Sequence, residues 1–194
     1  MLVRYLTHPQ VHIDPTVPVP SWHLSPVGRA RVRALVTAGW LEGTTQVVSS
    51  AEQKAVETAE PLAAALGVRL EIREAMQEND RSATGFLPPT EFESAADEFF
   101  AFPNRSIRGW ERAVDAQARI VRDAEVVLGR QQKGDLLFVG HGAVGTLLFC
   151  HYSQTPISRV HDQPDGGGHY FTMTKMDRRV LHSWRRMEDA FRVF

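Results

Sequence analysis

Asp135-Leu136-Leu137-Phe138-Val139-Gly140-His141-Gly142 carries an apolar run directly into a histidine set between two glycines. Four consecutive apolar residues bounded by turn formers read as a strand buried on both faces, the pattern of a parallel sheet. The flanking glycines let the backbone approach a ligand closely. The first residues repeat the arrangement: Leu2-Val3-Arg4-Tyr5-Leu6-Thr7 leads into His8-Pro9. Ligands of open α/β sheets bind outside the carboxyl ends of the strands. Two imidazoles so placed, from opposite ends of the chain, are candidates for one pocket.

Outward from these two strands, strand-like and helix-like segments alternate. Ser25-Pro26 reads as an N-cap with proline in the first turn. The helix it opens runs to about residue 38, with Ala30, Leu35, Val36 and Trp40 on one side. A strand over 46–49 leads into a helix over 51–66, capped by Ser49-Ser50, with Ala55, Ala59, Leu62 and Leu66 as its buried stripe and Gly67 as its stop. Residues 68–72 alternate as an edge strand does. Residues 75–106 form an excursion over one end of the sheet with a short helix near 91–100. A long helix over 107–131 precedes the 136–139 strand, and a helix over 143–152 follows His141. Strands at about 169–176 and 179–186, joined by a tight turn, close the chain. The expected fold is α/β: a three-layer α/β/α sandwich with a mostly parallel central sheet and a C-terminal antiparallel hairpin, built as a single domain over 1–194.

The totals fit that expectation. The 194 residues are 43% hydrophobic and 23% charged, with a formal net charge of −1, so no global field favours nucleic acid or a membrane surface. The arginine groups at 29–33, 178–179 and 185–186 read as solvated faces. The single cysteine, Cys150, sits in an apolar stretch and reads as a core residue, and it permits no intrachain disulfide. No secretory leader pattern is present at the start and no apolar run reaches the roughly 20 residues of a membrane span, so the expectation is a cytoplasmic protein.

Two histidines at strand ends suit phosphoryl chemistry. That chemistry needs a nucleophile aimed at phosphorus, positive charge on the peripheral oxygens, and a proton for the leaving oxygen. His8 supplies the first as a neutral imidazole. His141, Lys54 and the N-terminus of the helix at 143–152 supply the second. Glu78 or Asp80 supplies the third. A metal site is a weaker alternative: His8, His12, His23, His141, His161 and His169 show none of the common zinc spacings. Gly166-Gly167-Gly168 precedes a strand rather than a helix, so it reads as a flexible turn and not a phosphate-cradling loop. With Gln163 and His169 it is a candidate border of the pocket.

Read in order, these motifs resemble the histidine phosphatase superfamily, also called phosphoglycerate-mutase-like. That family opens with a strand ending in Arg-His-Gly, matched here by Thr7-His8-Pro9. Leu24-Ser25-Pro26-Val27-Gly28 echoes its Leu-Thr-x-x-Gly. Ser49-Ser50-Ala51-Glu52-Gln53-Lys54-Ala55-Val56-Glu57-Thr58-Ala59 matches Ser-Ser-Pro-x-x-Arg-Ala-x-x-Thr-Ala, and Gly140-His141-Gly142-Ala143 matches Ser-His-Gly-Gly. The resemblance spans about residues 2–150. It implies a phosphoglycerate-mutase-like fold and hydrolysis of phosphomonoesters through a phosphohistidine on His8. It also implies His141 as the second histidine and Glu78 as the acid.

Three departures stand out. The arginine before the nucleophile is Thr7, the glycine after it is Pro9, and the phosphate-binding arginine of the middle motif is Lys54. A guanidinium fork grips oxygens bidentately where an ammonium is a point charge. Arg81, in the same loop as Glu78, is the expected replacement cation, so Lys54, Arg81 and Thr7 make up the expected phosphate-binding set. Covalent catalysis and electrostatics suffice, so no metal or cofactor is implied. The implied partner is a small phosphorylated molecule or a phosphoprotein, and a homo-oligomer is left open. The competing expectation is a phosphatase scaffold with an altered clamp, catalytically impaired, that only binds an anion or a partner.

Overall fold

β4 (Asp135–Gly140) holds the middle of the molecule because its side chains alternate between two separate cores. Leu136 and Phe138 point to one face and Leu137 and Val139 to the other, all inaccessible to solvent. In the computed structural model, which describes residues 1–192 and their side chains as far as Ala190, β4 lies between β1 (Leu2–Thr7) and β2 (Thr44–Ser50). β3 (Leu70–Arg73) pairs in parallel outside β2 at the edge. On the other side β5 (His169–Thr174) runs antiparallel to β1, and β6 (Val180–Arg186) antiparallel to β5. The six strands therefore lie in the order β3-β2-β4-β1-β5-β6.

One face packs against α3 (Pro89–Ala101), α4 (Ala113–Arg130) and α5 (Gly142–Tyr152), through Phe99, Ile120, Leu128 and Leu147. The other packs against α1 (Pro26–Thr37) and α2 (Gln53–Leu66), through Val32, Leu35, Ala59 and Leu62. These are the three layers and the mostly parallel sheet with its C-terminal hairpin that the pattern of the sequence predicts.

Local signals act as expected at several boundaries. The Ser25 hydroxyl accepts from Gly28 N at 3.1 Å, with Pro26 in the first turn. Gly67 ends α2 in the left-handed region at φ 64°. Three details differ. Ala30 is exposed and Val32 faces the core in its place. The long helix starts at Ala113 rather than 107, because Arg108 and Gly109 take positive φ (50° and 83°), which no helix accommodates. That break turns Ile107 and Trp110 into the core. Finally, β6 starts at Val180, after Arg178 adopts φ 57° in the turn.

Candidate functional site

The strand register brings the two histidines together. Thr7 pairs with Gly140 across β1 and β4, and Ser49 pairs with Val139 across β2 and β4. The next residues, His8, His141 and Ser50, therefore emerge side by side at the carboxyl end of the sheet. His8 N donates to Gly140 O at 3.0 Å, and the two imidazole centroids lie 5.3 Å apart at 66°. The Tyr5 phenol fixes the turn after β4: its hydroxyl donates to His141 O at 3.1 Å and accepts from His141 N at 3.0 Å. A Cβ on Gly140 would sit 2.3 Å from that hydroxyl, so only glycine fits there.

The run Gly166-Gly167-Gly168 is a fixed clasp rather than a flexible turn. All three take positive φ. Gly168 N donates to His8 O at 3.0 Å, and a Cβ on Gly167 would meet that oxygen at 2.3 Å. Arg31 binds the carbonyls of all three glycines together with Gln10 and Glu188. This arginine is therefore part of the scaffold beneath the site and not of a solvated face.

The His8 ring has a defined tautomer. Its Nδ1 lies 2.9 Å from Pro9 O. A carbonyl only accepts, so Nδ1 carries the proton and Nε2 presents its lone pair. Burial, reinforced by the Lys54 ammonium, lowers the ring pKa to about 4, which keeps it neutral at neutral pH. His141 is fully buried, and burial likewise holds it well below the ordinary imidazole value. Its Nε2 lies 2.8 Å from the Ser50 hydroxyl and 3.5 Å from Glu52 Oε1.

Glu78 is held by the first turn of α5. Its carboxylate accepts from Val144 N at 3.0 Å, Ala143 N at 3.1 Å and Asn79 N at 3.0 Å, yet burial pushes its pKa up. Arg119 fastens the loop beneath it, binding the carbonyls of Ala75, Gln77 and Glu78. Asp80 is exposed, and the Ser82 amide and hydroxyl hold its carboxyl below the usual range. Of the two carboxyls offered as proton donors, Glu78 has the suitable surroundings. Arg81 stacks on Phe92 and Trp110, 5.0 and 5.7 Å from the ring centroids. It lines a cavity of about 230 Å³ together with His8, Glu78, Gly142 and Gln163.

Two expected phosphate ligands are engaged elsewhere, and a third is only partly available. Thr7 is fully buried; its hydroxyl donates to Gln163 Oε1 at 2.6 Å and accepts from His169 N at 3.0 Å, so it ties β1 to β5 and to the cavity wall at Gln163. The first N–H groups of α5 are taken by Glu78, which displaces the idea that this helix end receives a substrate oxyanion. Lys54, 3% exposed, donates to Val19 O at 2.9 Å and to the Glu52 carboxylate. Glu52 is the residue that motif reading passed over. Burial acts to raise its pKa, but the Lys54 ammonium and the Glu78 amide overcome this and hold its carboxyl below the usual range. Ser50, read as a helix cap, lies before the N-cap Glu52: its hydroxyl accepts from Glu52 N at 3.2 Å and also faces His141. Of the aromatics in the excursion, Phe99, Phe100 and Trp110 are core residues, Phe102 is 45% exposed, and Phe86 and Phe92 border a second cleft beside His8.

These surroundings set a pH dependence. The unfolded chain protonates His8 near 6.5 and the folded chain only near 4. The unfolded state thus binds the extra proton between those values, and stability falls as pH drops through that window. His8 alone contributes a loss of about 3 kcal/mol. The thermal midpoint is expected to fall from pH 6.5 to pH 4, and less steeply in His8→Asn; equal slopes would contradict the buried, neutral ring.

A model of the histidine phosphatase superfamily (branch 1) matches residues 17–184, a span that holds Lys54, Glu78, Arg81 and His141 and begins after His8. No curated protein matches the chain. Similar solved structures include Bacillus stearothermophilus YhfR, at 18% identity and TM-score 0.79 over 94% of each chain. Mycobacterial glucosyl-3-phosphoglycerate phosphatase matches at 17% identity and TM-score 0.73 over 95% of each chain. Phosphoserine phosphatase from Entamoeba histolytica matches at 14% identity and TM-score 0.72, covering 95% of this chain and 96% of that one. At these identities the likeness is one of fold. Among the described residues, no helix is long and apolar enough to cross a membrane.

Proposed function

Because this chain belongs to the histidine phosphatase superfamily, we propose that it is a phosphomonoesterase acting through a phosphohistidine on His8. The observation that carries this reading is the His8 ring: neutral, its proton fixed on Nδ1, its Nε2 lone pair available, and 5.3 Å from His141. Nε2 attacks phosphorus and the ester P–O bond breaks. Glu78, whose carboxyl burial keeps protonated to higher pH than usual, gives its proton to the departing alkoxide. A water then attacks the phosphohistidine, Glu78 takes back a proton, and inorganic phosphate leaves. Lys54, Arg81 and His141 stabilise charge on the peripheral oxygens through the transfer.

The alcohol part of the substrate is apolar. The second cleft, about 320 Å³, opens on His8, Lys54, Arg81 and Glu93, and most of its remaining wall is apolar, including Val11, Ile13, Trp22, Phe86, Leu87 and Phe92. Trp22 and Phe86 face each other at 5.9 Å, a spacing suited to aromatic contact. Mass spectrometry of protein quenched after brief exposure to aryl phosphates is expected to find an acid-labile phosphate on His8, with aryl esters preferred to phosphorylated sugars. The engagement of Lys54 by Glu52 favours a second reading, a binding module without turnover. Anion binding without phosphoenzyme or product, across a broad ester panel, would establish that reading in place of the first.

A further inference from the structure

The middle motif places a carboxylate where a phosphate ligand would otherwise meet only donors. Glu52 begins α2 without capping it; its side chain turns inward and is 8% exposed. One oxygen faces Lys54 Nζ. The other accepts from Glu78 N at 2.8 Å and stands 3.5 Å from His141 Nε2. A lysine has three N–H donors. Glu52 and Val19 O take two of them, leaving one for a ligand. Lys54 therefore still offers a hydrogen bond while its charge is cancelled at contact distance. Arg81 is stacked on rings and forms no ion pair among the described residues. Burial lowers the pKa of His8 and His141, so both rings are neutral at neutral pH.

We infer that Glu52 is a specificity-determining residue that tunes the site to a singly charged phosphoryl group. The inference rests on the reading that this pocket receives a phosphoryl group. With Lys54 paired to Glu52, and Arg159 on the cavity wall paired to Glu93 and Asp97, Arg81 is the one cation beside His8 that forms no ion pair among the described residues. A second negative charge on the ligand would face the Glu52 carboxylate without a cation of its own. For a monoester the preferred species is the monoprotonated form, which predominates below its second pKa of about 6; a phosphodiester carries the same single charge at every pH.

The test is binding at pH 8, with methyl phosphate as the dianion and dimethyl phosphate as the monoanion, measured by calorimetry. Glu52→Gln keeps the size and removes the charge. It is expected to bind methyl phosphate at least about tenfold tighter than the wild type, while dimethyl phosphate changes less than about threefold. The groups facing Glu52 (Lys54, His141, Glu78, and beyond them His8 and Arg81) are common to both proteins, so the comparison isolates one charge. Equal changes for both anions, no change, or no binding of either anion to either protein would overturn the inference. Because Glu52→Gln leaves Lys54 buried without its partner, a second variant guards against loss of the fold: Glu52→Gln combined with Lys54→Met. It removes a pair that sums to zero, so the ratio of the two affinities should stay as in the wild type; a ratio shifted toward the dianion would refute the cancellation. Release of aryl alcohol from an aryl diester by the wild type would assign the single charge to a diester, and release from the monoester alone to its protonated form. The binding ratios stand whether or not turnover occurs, whereas a missing phosphohistidine would count against the hydrolase alone.

Discussion

His8→Ala is expected to lower kcat/KM for an aryl phosphate by about 10⁴-fold or more and to abolish the phosphoenzyme. The magnitude follows from the role. A covalent nucleophile is not one contributor among several, because without it the two-step route is closed and only the electrostatic and positioning contributions remain. The site is built to serve this ring. Pro9 O fixes its tautomer, Gly168 N and Gly140 O hold its backbone, and the left-handed Gly167 makes room for its carbonyl. The variant should still bind inorganic phosphate within a fewfold of the wild type, because Lys54, Arg81 and His141 remain. Retained turnover with intact folding would remove His8 from the chemistry. Loss of turnover together with phosphate binding would mark its role as scaffolding.

That such a residue can be picked from the sequence at all is a consequence of strand geometry. A buried parallel strand needs a continuous apolar run, and its carboxyl end is where the chain leaves the sheet. Leu136–Val139 and Leu2–Leu6 advertise both facts, and the pairing of Thr7 with Gly140 turns two distant histidines into neighbours. That the loop after the edge strand β3 brings a carboxyl over the same end of the sheet was legible for a related reason, although spacing left Glu78 and Asp80 as alternatives. The boundary at Ala113 was not legible. Nothing in the composition of 107–112 forbids a helix, and the positive φ of Arg108 and Gly109 accompanies burial of Ile107 and Trp110 in the core, a tertiary contact that spacing does not reveal.

The occupants of the charged positions were hidden for a different reason. Sequence spacing says which residues stand near a strand end but not which hydrogen-bonding positions are already filled. Thr7 sits beside the nucleophile, but its hydroxyl is already engaged by Gln163 and His169. The first turn of α5 is an anion site by construction, and the chain supplies the anion itself as Glu78. Lys54 is a cation next to the pocket whose counter-charge lies two residues before it. All three are matters of side-chain direction and tertiary pairing, decided by contacts more than twenty residues away in sequence for Thr7 and Glu78 and by a local inward turn for Glu52.

Glu78→Gln is expected to lower kcat for alkyl phosphates by roughly 10²- to 10⁴-fold, the range for loss of a general acid. Aryl phosphates with acidic phenols should lose far less, because their leaving oxygen departs without a proton. The pH profile supplies the sign. Glu78 donates as the carboxylic acid, and burial raises its pKa, so wild-type kcat for alkyl esters holds at low pH and falls as pH rises through that raised value. The glutamine variant has no such proton to lose and should be flat over the same window. Folding changes as well, in a way that can be separated from catalysis. The Glu78 carboxylate accepts from Ala143 N and Val144 N with different oxygens, and an amide retains only one of those acceptors. One N–H of the α5 first turn then faces an NH₂ group, at a cost of about 1–3 kcal/mol. A lowered thermal midpoint with an unchanged pH profile would make Glu78 the cap of α5 and nothing more. An alkaline limb that disappears, together with a rate loss that grows with the basicity of the leaving alcohol, would identify it as the proton donor.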